Sequence, residues 1–187
     1  MKSNYKTLNN FFLIQSEMTS FAKLIGFKSN TFSKNGIFIK KYYDISKEHW
    51  ERILKASLLF SEQEIGPKVI SYEKCESYGS ITYRSVISIM NKLEHKSLKI
   101  EHATKGIMET IKRMHKLGYA HGDLNAMNIG YLDGKYYILD HDTVFKIKQK
   151  PPKWLLKWMQ EGFDFEPEDY DKFINYDLEN WIYDLQC

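Results

Sequence analysis

The stretch from His115 to Val144, HKLGYAHGDLNAMNIGYLDGKYYILDHDTV, decides how this chain folds. Within it, Asp133-Gly134 separates two short apolar runs, and Asp-Gly between such runs is a strong signal for a β-hairpin. The spacing predicts strands over Met127–Leu132 and Lys135–Leu139. A hairpin returns the end of its second strand to the start of its first. The sequence therefore predicts that polar residues at these two points lie close together.

Three such residues carry side-chain oxygens. Asn128 follows Asp123 by five positions, and Asp140 ends the second predicted strand seventeen residues after Asp123. Carboxylate and amide oxygens suit a hard cation such as Mg²⁺, with phosphate and water oxygens completing an octahedron. Two acids and an amide around a metal fit a reaction that needs positioning and charge neutralisation. Phosphoryl transfer is such a reaction.

The flanking sequence predicts an α+β chain with two unequal halves. Upstream of the hairpin, an apolar stripe from Ile100 to Met114 predicts a helix that ends at Gly118. An earlier helix is predicted over Ser46–Gln63, with Ser46 as its cap. Further strands are predicted over Lys23–Phe27, Gly36–Tyr43, Lys68–Glu73 and Ser80–Met90, and later helices around Trp154 and Trp158 and over Pro167–Leu185. We expect one domain over 1–187, with an N-terminal half at 1–90 and a C-terminal half at 91–187.

Composition narrows the class of protein. The 187 residues are 43% hydrophobic and 27% charged, as in soluble globular proteins. A net charge of +3 is too small to indicate nucleic-acid binding. No apolar run is long enough for a secretory leader or a membrane span. Cys75 and Cys187 match no metal or redox spacing, so we expect reduced thiols in the cytoplasm, or in a host cytoplasm for a delivered effector or viral protein.

The run around Asp123 resembles the catalytic and metal loops of protein-kinase-like enzymes, whose pattern is H-x-D-x-x-x-x-N, an apolar strand and D-F-G. The resemblance implies a two-lobed kinase-like fold with a reduced C-terminal lobe. It implies that Asp123 is the catalytic base, that Asn128 and Asp140 hold Mg²⁺ or Mn²⁺, and that His121 is structural. ATP is the implied cosubstrate.

Other segments resemble further kinase parts. Ile37-Phe38-Ile39-Lys40 resembles V-A-I-K, which implies that Lys40 contacts the α- and β-phosphates, with Lys41 as the rival in register. Glu51, or Glu48 one turn earlier, resembles the helix acid that pairs with this lysine. The segment beginning at Ile89 resembles the hinge that binds adenine. It implies nucleotide contacts for three residues: Met90 as gatekeeper, Asn91 and Leu93.

Several departures make the resemblance that of an atypical kinase. The glycine-rich loop keeps only Gly26, with Ser29 or Thr31 to help bind phosphate. His121-Gly122-Asp123 lacks the arginine that reads activation-loop phosphorylation, and no A-P-E follows. His141 replaces Phe in the metal motif, and Asp142 is either a further metal ligand or a turn cap. Such forms occur in RIO-like, aminoglycoside and lipopolysaccharide kinases and in short bacterial-effector and viral kinases.

Three functions follow from this reading. The first is a serine/threonine protein kinase, because 47 residues after Asp140 leave little chain for a helical pocket around a small acceptor. The second is a small-molecule or sugar kinase, which the H-G-D form favours. The third is a kinase-shaped binding protein with little activity. An activating protein partner stays open, with the acidic stretch after Glu161 and the lysines at 146–157 as candidate contacts.

Overall fold

A computed structural model describes residues 27–90, 100–149, 174–179, 181 and 182. The first part is an antiparallel sheet of four strands in the order β1-β2-β4-β3. One helix, α1, is inserted between the second and third of these strands. Their bounds are Lys28–Lys34 for β1, Ile37–Tyr43 for β2, Lys47–Glu62 for α1, Val69–Cys75 for β3 and Tyr78–Arg84 for β4.

Helix α1 forms where the sequence predicts it. Ser46 caps it by accepting a hydrogen bond from the backbone N–H of His49 at 3.3 Å. Its first half packs against the sheet through Trp50 and Ile53, in a cluster with Tyr42 and Ile81. Its second half turns Ala56 and Phe60 towards a separate and larger cluster. Helix α1 therefore contributes to both of these hydrophobic clusters.

The larger cluster lies between α1, a long helix and a hairpin. The long helix, α2, spans Ile100–Lys116 and buries Ala103, Ile107, Ile111 and Met114, as its apolar stripe predicts. The hairpin consists of β7 (Ile129–Leu132) and β8 (Lys135–Ile138), with β5 (Ile87–Ser88) beside β7. A small ladder joins β6 (Tyr119–Ala120) to β9 (Phe145–Lys146).

The turn of the hairpin has the geometry that its residues favour. Asp133 has a φ of 50° and Gly134 a φ of 82°, and two left-handed residues are what a tight hairpin turn of matching twist requires. Directly before β7, residues Ala126–Asn128 form one turn of 3-10 helix rather than strand. The hairpin prediction is confirmed, with the start of its first strand moved by two residues.

Two strand predictions needed correction. The predicted strand Ser80–Met90 is divided, because β4 ends at Arg84 and residues 89 and 90 are helical. Strand β1 was missed, although its turn at Asn35-Gly36 is a hairpin signal, because β1 has no alternating apolar residues and is almost entirely exposed. The α+β class is confirmed by the mixture of helices with antiparallel sheets.

Several predicted elements fall outside the described residues. They are the strand at 23–27 apart from Phe27, and the helix around Trp154 and Trp158. Of the last predicted helix, residues 174–179, 181 and 182 are helical. No helix in the described ranges is both long and apolar enough to cross a bilayer.

Candidate active site

Lys40 lies on the inner face of the four-stranded sheet, in the centre of β2. Its neighbour Lys41 points to the opposite face, as strand geometry requires, and lies over the ring of Phe32. The Lys40 ammonium lies 2.5 Å from Oδ1 of Asp140 and 2.7 Å from Oδ2 of Asp142. Burial lowers the pKa of Lys40, but the charges of both carboxylates outweigh burial and hold the pKa above its ordinary value. Lys40 is therefore a buried, fully charged group.

Asp140 lies just after β8 in a conformation that aspartate rarely adopts. Its φ of 51° is in the left-handed region, and such backbone strain is concentrated at functional sites. The backbone N–H of Leu139 donates to the carbonyl of Asn128 at 2.8 Å, which fixes Asp140 relative to the loop. Burial raises the pKa of Asp140, but the charge and hydrogen bond of Lys40 outweigh burial and leave the pKa below its ordinary value.

Asp123 and Asn128 face each other across the turn before β7. The side-chain nitrogen of Asn128 donates to the backbone carbonyl of Asp123 at 2.8 Å. Asn125 caps the 3-10 turn by accepting from the N–H groups of Met127 and Asn128. Burial raises the pKa of Asp123 to about 6, with the negative charge of Asp140 adding to the effect of burial. The two acids are thus close enough to influence each other electrostatically.

A buried carboxylate that the sequence analysis did not identify holds this loop in place. Asp177, in the helical residues 174–179, accepts from the backbone N–H of His121 at 2.8 Å and of Gly122 at 3.3 Å, and it lies 3.1 Å from Nε2 of His115. Nε2 of His121 lies 2.8 Å from the carbonyl of Leu139, so it carries the proton and donates. His121 therefore links the loop to the strand that ends at Asp140. The only sequence signal for Asp177 is an acid within a predicted helix.

A cavity of about 450 Å³ opens between the four-stranded sheet and the sheet formed by β5, β7 and β8. Lys40, Asn128 and Asp140 line it on one side. Its other lining residues are Thr31, Ser33, Phe38, Pro67, Tyr83, Arg84, Ser85, Val86, Ser88, Met127, Leu139 and His141. The buried hydroxyl of Ser88 has no hydrogen-bond partner among the described residues. The volume and the mixture of apolar walls with a few polar groups are typical of a small-molecule site.

The structure does not bring Glu51 to Lys40. The Glu51 side chain is 63% exposed and lies 3.8 Å from Lys47 on the outer surface of α1. Helix α1 buries Trp50 and Ile53, and this orientation leaves the side chain of Glu51 exposed to solvent. The acids at Lys40 are Asp140 and Asp142 instead. Glu48, the alternative to Glu51, is exposed as well, so the structure pairs Lys40 with neither of the two expected helix acids.

The hinge residues predicted to contact a nucleotide are not found at the cavity among the described residues. Met90 does not line the cavity but packs against the larger hydrophobic cluster. Among the described residues of this stretch, those that line the cavity are Arg84, Ser85, Val86 and Ser88, at and just after the end of β4. Asn91, Leu93 and Gly26 lie outside the described residues.

Ser29 lies on β1, paired with Tyr42, and is not a lining residue of the cavity. Thr31 and Ser33, two and four residues further along the same face of β1, line it. The hydroxyls available to a ligand from this strand are therefore those of Thr31 and Ser33.

The donor set at Asp140 and Asn128 fits a hard divalent cation that is shared with a phosphate ligand. Within the described residues, no group of three or more His, Cys, Asp or Glu forms a site on protein ligands alone. Mg²⁺ in phosphate-transferring sites uses one or two carboxylates with substrate and water oxygens, so a small donor set suffices. Asn128 donates a hydrogen bond to the carbonyl of Asp123 through its side-chain nitrogen, so its side-chain oxygen could serve as a ligand to such a cation.

The similarities of this chain to known proteins are found among solved structures. No protein-family model matches the chain, and no curated protein matches it. The chain is similar to crystal structures of WbdD. One of these, at 14% identity and a TM-score of 0.48, is covered over 34% of its length by 79% of this chain.

A second structure, described as the bifunctional kinase-methyltransferase WbdD, has 13% identity, a TM-score of 0.48 and the same coverage. A third, WbdD with the kinase inhibitor LY294002, has 13% identity and a TM-score of 0.48 over 74% of this chain and 36% of that one. The chain thus spans about a third of the structures it matches. Such TM-scores and identities are too low to define a shared fold or a shared function.

Proposed function

We propose that this chain is an ATP-dependent phosphotransferase of protein-kinase-like fold, which moves the γ-phosphate of Mg·ATP to a hydroxyl group. One observation carries the proposal. Lys40, which precedes Asp140 by 100 residues, lines a single cavity together with Asp140 and Asn128, and it contacts Asp140 directly. A fixed cation, a carboxylate and an amide oxygen are the groups that position and neutralise transferring phosphates.

The cavity supports binding of the nucleotide base. Phe38 from β2 and Leu139, which directly follows β8, line the cavity, and Val86 and Met127 add apolar surface. Apolar walls of this kind hold a planar ring, while a few polar groups fix its orientation. The unpartnered hydroxyl of Ser88 is one such polar group. In this arrangement the phosphates extend towards Lys40.

Asp123 is the proposed base for the acceptor hydroxyl. A pKa of about 6 leaves this carboxylate mainly ionised at neutral pH, yet more basic than an ordinary aspartate. The side-chain nitrogen of Asn125 lies 3.4 Å from Oδ1 of Asp123 and orients it. A bound Mg²⁺, held by Asp140 and Asn128, would supply charge neutralisation at the phosphates.

The acceptor class rests on the sequence resemblance. We propose Ser or Thr of a protein, with a sugar or another small-molecule hydroxyl as the alternative. A panel of generic protein acceptors, aminoglycosides and sugars separates the two, because each alternative predicts transfer to one class only. Thermal stabilisation by Mg·ATP without transfer to any acceptor or to water would favour a nucleotide-binding protein instead.

The test is transfer of labelled γ-phosphate from Mg·ATP, with Mn·ATP in parallel, to the protein itself, to the acceptor panel and to water. Wild type is compared with Asp140→Asn. The matched control is Asp44→Asn, because Asp44 is exposed and has a φ of 58°, so both substitutions place asparagine in the same backbone conformation. Asparagine tolerates this conformation.

Transfer by wild type and by the Asp44 variant, with a loss of at least about 100-fold in the Asp140 variant, would support the proposal. Equal transfer by all three proteins would show that the labelled phosphate moves at another site or through a contaminant. No transfer and no thermal shift with Mg·ATP would refute the proposed function.

A further inference from the structure

The ammonium of Lys40 is held by two carboxylates with different surroundings. The Asp140 side chain is 46% exposed and lines the cavity, whereas the Asp142 side chain is 6% exposed and does not line it. Asp142 also accepts a hydrogen bond from the hydroxyl of Tyr42 at 3.0 Å. One acid therefore faces the ligand space and the other is enclosed with Lys40 behind it.

Helix α1 fixes the backbone of Asp142 rather than contributing an acid. The guanidinium of Arg52 donates to the carbonyls of Asp142 and Val144, both at 2.6 Å. Tyr42 in turn is enclosed by the rings of Phe27 and Trp50. Hydrogen bonds from Arg52 thus hold the backbone of Asp142, and the hydroxyl of Tyr42 holds its Oδ1.

The two acids can divide two tasks between them. Asp140, the exposed acid, is the one that a cation in the cavity can reach. When Asp140 turns to such a cation, Lys40 keeps a buried partner only if Asp142 stays in place. A buried ammonium without a partner is strongly unfavourable, so the second carboxylate is required for Lys40 to remain charged inside the sheet.

We propose that Asp142 is the positioning residue for Lys40, in the role that the sequence resemblance assigned to the helix acid Glu51. The proposal rests on the proposed function for its catalytic meaning. Because Asp142 follows Asp140 by two residues, the position of the phosphate-binding lysine depends on the segment that holds Asp140, not on an acid carried by α1.

The kinetic test compares Asp142→Asn with Glu51→Gln, each of which removes one negative charge with little change of shape. Asp44→Asn is again the matched control. For Asp142→Asn we expect kcat/KM for Mg·ATP to fall by about tenfold or more, with KM for Mg·ATP raised and KM for the acceptor unchanged. A lesion that only reduced the folded fraction would lower kcat and leave both KM values as they were. An equal or larger effect of Glu51→Gln would overturn the proposal.

A second test needs no activity. In the absence of nucleotide and with a chelator present, thermal unfolding is measured for Lys40→Met, each acid variant and each double variant. We expect the loss in Tm for Lys40→Met with Asp142→Asn to be smaller than the sum of the single losses by about 2 °C or more. Lys40→Met with Glu51→Gln should be additive.

Additive losses at Asp142, or coupling at Glu51, would refute the pairing. If Asp142→Asn alone does not fold, recovery of folding in the double variant with Lys40→Met supports the pairing, and failure to recover contradicts it. If the variants show this coupling but wild type transfers no phosphate, the proposed function is refuted and the pairing of Lys40 with Asp142 is still supported.

Discussion

Replacing Asp177 tests the buried carboxylate that holds the loop at His121 and Gly122 through hydrogen bonds. Its side chain is fully buried and accepts from the backbone N–H groups of His121 and Gly122. Asp177→Ala leaves both N–H groups buried without this acceptor. An orphaned buried donor costs about 1–3 kcal/mol, so the two together predict a loss of about 2–6 kcal/mol in the free energy of unfolding. Since a domain is stable by only about 5–15 kcal/mol, this is a large fraction of the total.

Asp177→Asn separates the missing acceptor from the missing volume. The amide oxygen still accepts one backbone N–H, so we expect a loss of about half that of the alanine variant. The control is Glu179→Ala, on an exposed position of the same helical segment, which should change stability by less than about 0.5 kcal/mol. The assay is urea unfolding of all four proteins at pH 7.5. Asp177→Ala within about 0.5 kcal/mol of wild type, or equal losses for alanine and asparagine, would refute this account of the loop.

Two further predictions concern the ends of the cavity. Burial lowers the pKa of His141 to about 4, so the unfolded chain binds the proton more readily and the stabilisation present above about pH 6.5 is lost as the pH falls towards 4. Without metal, the free energy of unfolding of wild type should fall by up to about 3 kcal/mol relative to that of His141→Phe between pH 7.5 and 4.5 in urea unfolding. The two proteins are compared because Asp123, whose pKa is raised to about 6, titrates in the same range with the opposite effect on stability. Parallel pH profiles of the two proteins would contradict the burial argument. A Cβ on Gly130 would lie 2.5 Å from Val86 and 3.1 Å from Leu139, which both line the cavity where the nucleotide base is proposed to bind. Gly130→Val should therefore abolish the thermal shift with Mg·ATP, and Gly130→Ala should reduce it. An unchanged thermal shift in both variants would place the nucleotide elsewhere.

The strongest sequence predictions were those in which local chemistry and local geometry agree. Ser46 caps α1 because its side chain reaches the first free N–H groups of its own helix. Asp133-Gly134 turns the hairpin because both residues adopt left-handed φ values at low cost. In each case the decisive interactions join residues within a few positions of each other.

The sequence left Lys41 as a rival to Lys40, because alternation along a strand leaves two faces and both faces of β2 carry apolar residues. The packing of α1 against the sheet decides which face is inner. The convergence of Asp123, Asn128 and Asp140 followed from the hairpin alone, since its strands return the chain to its starting point.

The partners of Lys40 could be decided only by the tertiary structure. Glu51 and Asp142 are both acids in suitable segments, and no local pattern tells which one the lysine meets. Helix α1 turns Trp50 inward and Glu51 outward, while Arg52 of the same helix donates a hydrogen bond to the backbone carbonyl of Asp142. The choice depends on side-chain packing between segments that are about a hundred residues apart in the chain.

The same distinction applies to the site as a whole. The sequence by itself determined the α+β class, the hairpin and the three oxygen-bearing residues, because short-range spacing and turn chemistry specify them. Only the tertiary structure placed Arg84, Ser85, Val86 and Ser88 at the cavity without Met90, and revealed that Asp177 holds the loop. These features arise where separate elements meet, and the free energy that selects one meeting over another comes from burial and hydrogen bonds between distant residues, which no local pattern records.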